Sequence, residues 1–184
     1  MHQNIKLLLT ASILIHAGAN LLAPIYAIFI EGIGGTLLDA SIALGIYALM
    51  KGVFYFALDK FGEDRVSKRT MMFSGYVIMA VCYAGYMLAE IPMHVFIIQG
   101  VLSFGETVIN PSWSAVIATS LEEGKERHIY SHFYGYRSIF EGIAAIVGGL
   151  FAMKFGFDFL FGIMAGFALA SACLSLLIQE EKME

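Results

Sequence analysis

Seven side chains of this sequence could bind a polar solute or pass a proton, and all seven sit inside apolar stretches: His16, Asn20, Lys51, Glu106, Asn110, Arg137 and Glu141. Six of them pair at helical spacing. His16 and Asn20, Glu106 and Asn110, and Arg137 and Glu141 are each four residues apart, which puts both members of a pair on one helix face. An ionisable group at the centre of a lipid-spanning helix costs at least about 2.5–3.5 kcal/mol on insertion scales. Such groups therefore need a reason to be there. Structural readings compete with the functional one: Arg137 with Glu141 as a packing ion pair, Lys51 reaching for the headgroups along its aliphatic stem, His16 as a satisfied core residue. Glu106 is the hardest to explain structurally. It has no basic neighbour nearby in sequence, and its protonation would be contested, low dielectric favouring the neutral acid and any neighbouring cation the carboxylate.

The elements that must position these groups follow from composition. Of 184 residues 59% are hydrophobic and only 14% charged, and the mean hydropathy is +0.76. A soluble domain carries roughly a quarter charged residues, so lipid must cover much of this surface. Crossing the hydrocarbon core takes about 20 apolar residues. Six stretches meet that length, residues 5–30, 37–58, 70–89, 93–121, 128–153 and 158–178. They are expected to be helices, because backbone polar groups in lipid must be satisfied within the segment, and the alternation of a β-barrel is absent. The fold class expected is an all-α membrane protein of six transmembrane helices in one domain, residues 1–184. The first stretch is too long for a signal-peptide core and reads as a retained helix.

Counted from the segment ends, His16, Asn20, Glu106 and Glu141 fall near mid-segment, with Lys51 and Arg137 about a turn toward one side. A polar layer at that depth is where a transporter keeps its solute and coupling-ion sites. The short connections carry eight basic residues on one side (Lys6, Lys60, Arg65, Lys68, Arg69, Lys125, Arg127 and Lys182) against Lys154 on the other. The positive-inside rule then makes both termini cytoplasmic, in a multi-pass protein of a plasma or bacterial inner membrane. Cys82 and Cys173 lie in apolar runs and are not expected to bridge. No HExxH, cysteine cluster or paired-carboxylate motif suggests an enzyme, a metal or a cofactor, and no basic run suggests nucleic acid. His128 and His132 have a spacing that can bind metal, but beside Tyr130 and Tyr134 they read as interfacial residues.

Several of these stretches resemble one six-helix half of a major facilitator superfamily transporter, most like the N-terminal half. The family's loop after its second helix reads roughly Gly-x-Leu-Ala-Asp-Arg-x-Gly-Arg-Arg. Here Asp59 and Gly62 match it, Lys60 replaces the Arg, Tyr55 stands where the first Gly belongs, and Arg65, Lys68 and Arg69 follow. In the fourth stretch Gln99 and Gly100, then Asn110, Pro111 and Trp113, resemble the family's Arg-x-x-Gln-Gly and the Pro-containing run after it. Phe96 stands in place of that Arg, and Ala144 with Ala145 stand where the antiporter pattern has Gly-Pro.

The resemblance implies a secondary transporter that moves a small solute by alternating access, with Asp59, Lys60, Gly62 and Arg65 in a cytoplasmic gate. Glu106 becomes the candidate for coupling to protons, with Arg137 or Lys51 in place of the missing arginine. Family members have two such halves, so this one would leave its polar face in lipid unless a second copy or a homologous half covered it. A fragment of a twelve-helix transporter is one alternative, and a non-transporting membrane interaction protein that keeps the half-transporter fold is another.

Overall fold

The computed structural model describes residues 3–60, 66–119, 124 and 126–178. All regular structure among them is helical: α1 (Gln3–Leu22), a 3₁₀ turn (Ala23–Ile25), α2 (Tyr26–Gly32), α3 (Leu37–Asp59), α4 (Lys68–Tyr86), α5 (Pro92–Thr119), α6 (Glu126–Phe155) and α7 (Phe157–Ser175). The first apolar stretch is expected as one helix and is found in two, broken at Pro24. Proline lacks an N–H and disfavours helical backbone in the residue before it. Lys6, expected ahead of the first helix, lies within its first turns.

The helix ends follow local chemistry. A capping box starts α3, where the Thr36 N–H donates to Asp39 Oδ2 at 2.8 Å and the Asp39 N–H to Thr36 Oγ1 at 3.3 Å. The Ser67 hydroxyl accepts the Thr70 N–H at the start of α4. Between α6 and α7 a single residue, Gly156, reverses the chain at φ +83°, a conformation other residues rarely adopt.

Side-chain contacts fix the relative directions. Lys51 meets Glu106 and Tyr55 meets Asn110, so α3 and α5 run parallel. Gly75 packs on Gly105 and Ile109 while Gly85 packs on Ile98, so α4 and α5 are antiparallel. Ser171 bonds Ala11, and Gly18 packs on Met164 and Phe167, so α1 and α7 are antiparallel. Gly148 abuts the Leu21 carbonyl, and His16 faces Glu141, so α1 and α6 are parallel. Each helical unit thus reverses the one before. Small residues make the tightest of these approaches: a Cβ on Gly75 would lie 2.6 Å from the Gly105 carbonyl oxygen. Close backbone approach of this kind is how helices associate where lipid removes the hydrophobic drive.

The core lies where α1, α4, α5 and α7 meet. It is filled by Leu8, Met72, Tyr83, Leu160, Phe161 and Met164, with Phe29 edge-on to Tyr86 and Phe161. Cys82 is buried, Cys173 is exposed and neither is bridged. Among the described residues five helical units are long and apolar enough to cross a membrane by length and composition, and this is a multi-pass membrane protein. The exception is α4, which begins Lys68–Arg69 and carries Ser74, Tyr76, Tyr83 and Tyr86. Its low hydropathy reflects side chains turned into the bundle, since all three tyrosines are buried. By contrast only 6% of the apolar window of α3 and 11% of that of α6 is covered by the rest of the chain, against 44% for α1–α2 and α5.

Candidate functional site

Helices α3 and α5 present matching ladders. On α3, Leu44, Tyr47, Lys51 and Tyr55 recur at three- and four-residue spacing, and on α5 so do Gln99, Leu102, Glu106, Asn110 and Trp113. Because the helices run parallel in register, two rungs form with the same offset of 55 residues. The Lys51 ammonium donates to Glu106 Oε1 at 2.6 Å, and the Asn110 amide donates to the Tyr55 hydroxyl at 2.8 Å. The same amide leans toward Glu106 Oε1 at 3.4 Å. Lys51 also lies over the Tyr47 ring, 5.4 Å from its centroid, within cation–π range. One residue beyond Asn110, Pro111 lies inside α5 and leaves the Thr107 carbonyl without its usual intrahelical donor.

A second charged group lies on α6. Arg137 Nε donates to Glu141 Oε1 at 2.8 Å, with the guanidinium over the Tyr134 ring. His16 of α1 joins the two groups. Its Nδ1 is 4.0 Å from Glu141 Oε1, its ring is 6.0 Å from that of Trp113, and both Arg137 and Lys51 act on it electrostatically. The five ionisable side chains are each between 18% and 24% exposed, buried enough to need partners and open enough to be reached. Each acid has a cation beside it, which offsets the cost of placing either in low dielectric.

A cavity of about 340 Å³ opens beside this layer, between α1, α2, α3, α4, α5 and α7. His16, Glu106 and Asn110 line it. So do Tyr47, Tyr76, Tyr83, Tyr86, Gln99 and Trp113, among aliphatic side chains such as Met79, Leu102 and Met164. At one end the Gln99 amide donates to the Tyr26 hydroxyl at 2.8 Å, both buried. That volume is in the range of small-molecule sites.

The sequence-predicted residues divide three ways. His16, Glu106 and Asn110 reach the cavity, and Lys51 stands behind its wall as the partner of Glu106. The Lys51 side chain ends on Glu106. Arg137, Glu141 and Asn20 do not line the cavity. The Asn20 amide donates to the His16 carbonyl of its own helix at 2.9 Å, and the Arg137–Glu141 pair sits on α6 behind His16. Asp59 and Lys60 are exposed at the end of α3, while Gly62 and Arg65 lie outside the described residues. Lys68 and Arg69 fall in the first turn of α4. The tyrosines of α4 were missed. Tyr76, Tyr83 and Tyr86 are seven and three residues apart, one helix face, and that spacing was the available signal.

The sequence matches the Major Facilitator Superfamily over residues 8–183. The chain belongs to that superfamily. A relative, the multidrug resistance protein MdtG of Klebsiella pneumoniae (strain 342), is 20% identical over 181 residues, covering 95% of this chain and 44% of its own length. The chain therefore spans less than half of that relative. Membership makes this a transporter-family membrane protein.

Proposed function

We propose that this chain is a secondary active transporter unit that moves a small solute by alternating access, with a second six-helix unit completing the pathway. The observation that carries this is the Lys51–Glu106–Asn110–Tyr55 network, which places a paired acid on the wall of a cavity among membrane helices. Charge there is costly, and a merely structural role would be filled as well by apolar packing. The relative's name refers to multidrug resistance. The match to 44% of its length leaves the other unit to a second copy or to the rest of a longer protein.

In this reading α4 is the sixth span. Its 19 residues rise about 28 Å at 1.5 Å each, close to the thickness of the hydrocarbon core. Both termini face the cytoplasm of a plasma or bacterial inner membrane. Asp59 and Lys60, with Gly62 and Arg65 beyond them, form a gate that holds one access state by charge and must release for the other.

Glu106 couples the cycle to protons. A proton on Glu106 removes the counter-ion of Lys51, loosens α3 from α5 and favours the other access state. The test is uptake driven by a pH gradient in liposomes containing the purified chain. Glu106→Gln should abolish the dependence of uptake on the gradient, and gradient-driven uptake that persists in this variant would overturn the coupling role.

A further inference from the structure

The cavity contains two polar groups that the network above does not use. Tyr76 is completely buried and Trp113 is 8% exposed. Both residues line the cavity and their polar ends are neighbours, yet neither the Tyr76 hydroxyl nor the Trp113 indole N–H makes a hydrogen bond of acceptable geometry to any described residue. Indole is a donor only, whereas phenol has one hydrogen to donate and an oxygen that accepts. A small shift could let Trp113 donate to Tyr76, but the phenolic hydrogen would still lack an acceptor. Leaving a buried donor unsatisfied costs about 1–3 kcal/mol. The acceptor therefore has to come from whatever fills the cavity.

The rest of the wall limits what that is. The same cavity is lined by Met79, Tyr83, Ile109 and Met164, which favour a flat or apolar body. The acid on the wall, Glu106, already has a cation at 2.6 Å. A charged ligand would enter without a counter-ion of its own, at a high desolvation cost. The space is also large for one water, whose share of liquid volume is about 30 Å³.

We infer that Tyr76 and Trp113 form a solute subsite inside the six-helix unit, and that it takes an uncharged aromatic or lipophilic molecule through a carbonyl-type acceptor. This names the substrate class of the proposed transporter and rests on that reading for its role in transport. Binding itself does not depend on it. Tyr76 sets specificity by donating its phenolic hydrogen to the acceptor, the Tyr76 oxygen takes up the Trp113 indole N–H, and the surrounding methionine and aromatic side chains supply the apolar contact.

Four probes of one size separate the chemistries: acetophenone (neutral, with a carbonyl), ethylbenzene (neutral, without an acceptor), benzylammonium and benzoate. Affinity is measured by equilibrium dialysis on the detergent-purified chain, with the emission of Trp113, its only tryptophan, as a local report. Acetophenone should bind about three- to tenfold tighter than ethylbenzene, the worth of one net hydrogen bond, and should shift the Trp113 emission. Tyr76→Phe should remove that preference and leave ethylbenzene unchanged. The wild-type comparison alone already tests the idea. Equal affinity for the two neutral probes, a ketone preference that survives Tyr76→Phe, or tightest binding of benzylammonium or benzoate would each overturn the subsite. Ketone-selective binding by a chain that drives no solute flux in liposomes would remove the transport reading and leave the subsite standing. Flux without any ketone preference would do the reverse.

Discussion

Lys51 Nζ and Glu106 Oε1 meet at 2.6 Å between two parallel helices that also touch through the Asn110–Tyr55 hydrogen bond and the Phe54–Phe104 ring pair. One helix of this pair, α3, is the least covered of the apolar spans, and the other, α5, is among the best covered. The ion pair therefore ties a peripheral helix to the body of the bundle at the level of the cavity. Any event that removes one charge acts on helix packing as well as on the cavity wall.

The first expectation concerns that pair alone. Removing one partner leaves an uncompensated charge in a low-dielectric setting, which costs about 3–5 kcal/mol where burial is complete. With both groups about a fifth exposed, the lower end applies. Glu106→Gln and Lys51→Met should each lower thermal stability in detergent, and the double variant should be more stable than either. Purely additive losses would show that the two side chains do not depend on each other.

A second expectation tests the α1–α6 contact. A Cβ on Gly148 would collide with the Leu21 backbone, whereas one on Gly149 meets nothing within 4 Å. Gly148→Ala should destabilise by roughly 1–3 kcal/mol through forced separation of the helices. Gly149→Ala should be neutral or slightly stabilising, because alanine outranks glycine in a helix by about 1 kcal/mol. The melting temperatures of the two neighbours should therefore move apart, and equal shifts would mean that α1 and α6 are not in backbone contact here.

Much of this arrangement could be read in the sequence, for reasons that differ by residue. Long apolar runs mark helices because lipid leaves the backbone no other option. Glu106 stood out because its charge has no local partner. The identity of that partner was not legible, since Lys51 lies 55 residues away and only the parallel register of α3 and α5 brings it in. The resemblance in the fourth apolar stretch, now α5, marks Gln99 and Trp113 but not their tasks, which depend on Tyr26 and Tyr76 from other helices. Arg137 and Glu141 share a helix face with the spacing of a pathway pair, yet the rotation of α6 sets them beyond the cavity. Pro24 was visible as a residue, while the break it makes at Ala23–Ile25 was hidden by the unbroken apolarity around it.

The Gln99–Tyr26 bond supplies a third expectation. Both groups are buried, at 4% and 6% exposure, and their 2.8 Å contact closes one end of the cavity. Gln99→Leu strands the tyrosine hydroxyl and should cost about 1–3 kcal/mol. Adding Tyr26→Phe should recover part of that loss, because an apolar pair of similar shape leaves nothing unsatisfied. Thermal unfolding of the four forms of the cycle measures this, and a double variant no better than Gln99→Leu would show that the hydroxyl finds another partner.

The last expectation addresses what covers the uncovered helices. The charges of α6, Arg137 and Glu141, lie outside the cavity lining, with Glu141 4.0 Å from His16 and each about a quarter exposed. Lipid on that side would have to solvate an ion pair, which is costly, so protein is the better cover. Ser138, exposed next to Arg137, should then face a second six-helix unit. In a background with Cys82 and Cys173 replaced by serine and alanine, Ser138→Cys should cross-link two copies of the chain in membranes. Val81→Cys, on the outer side of α4 at 66% exposure, should not. Cross-linking at both positions would indicate random collision. At neither, it would indicate that two copies do not close the pathway and that the covering unit must come from elsewhere.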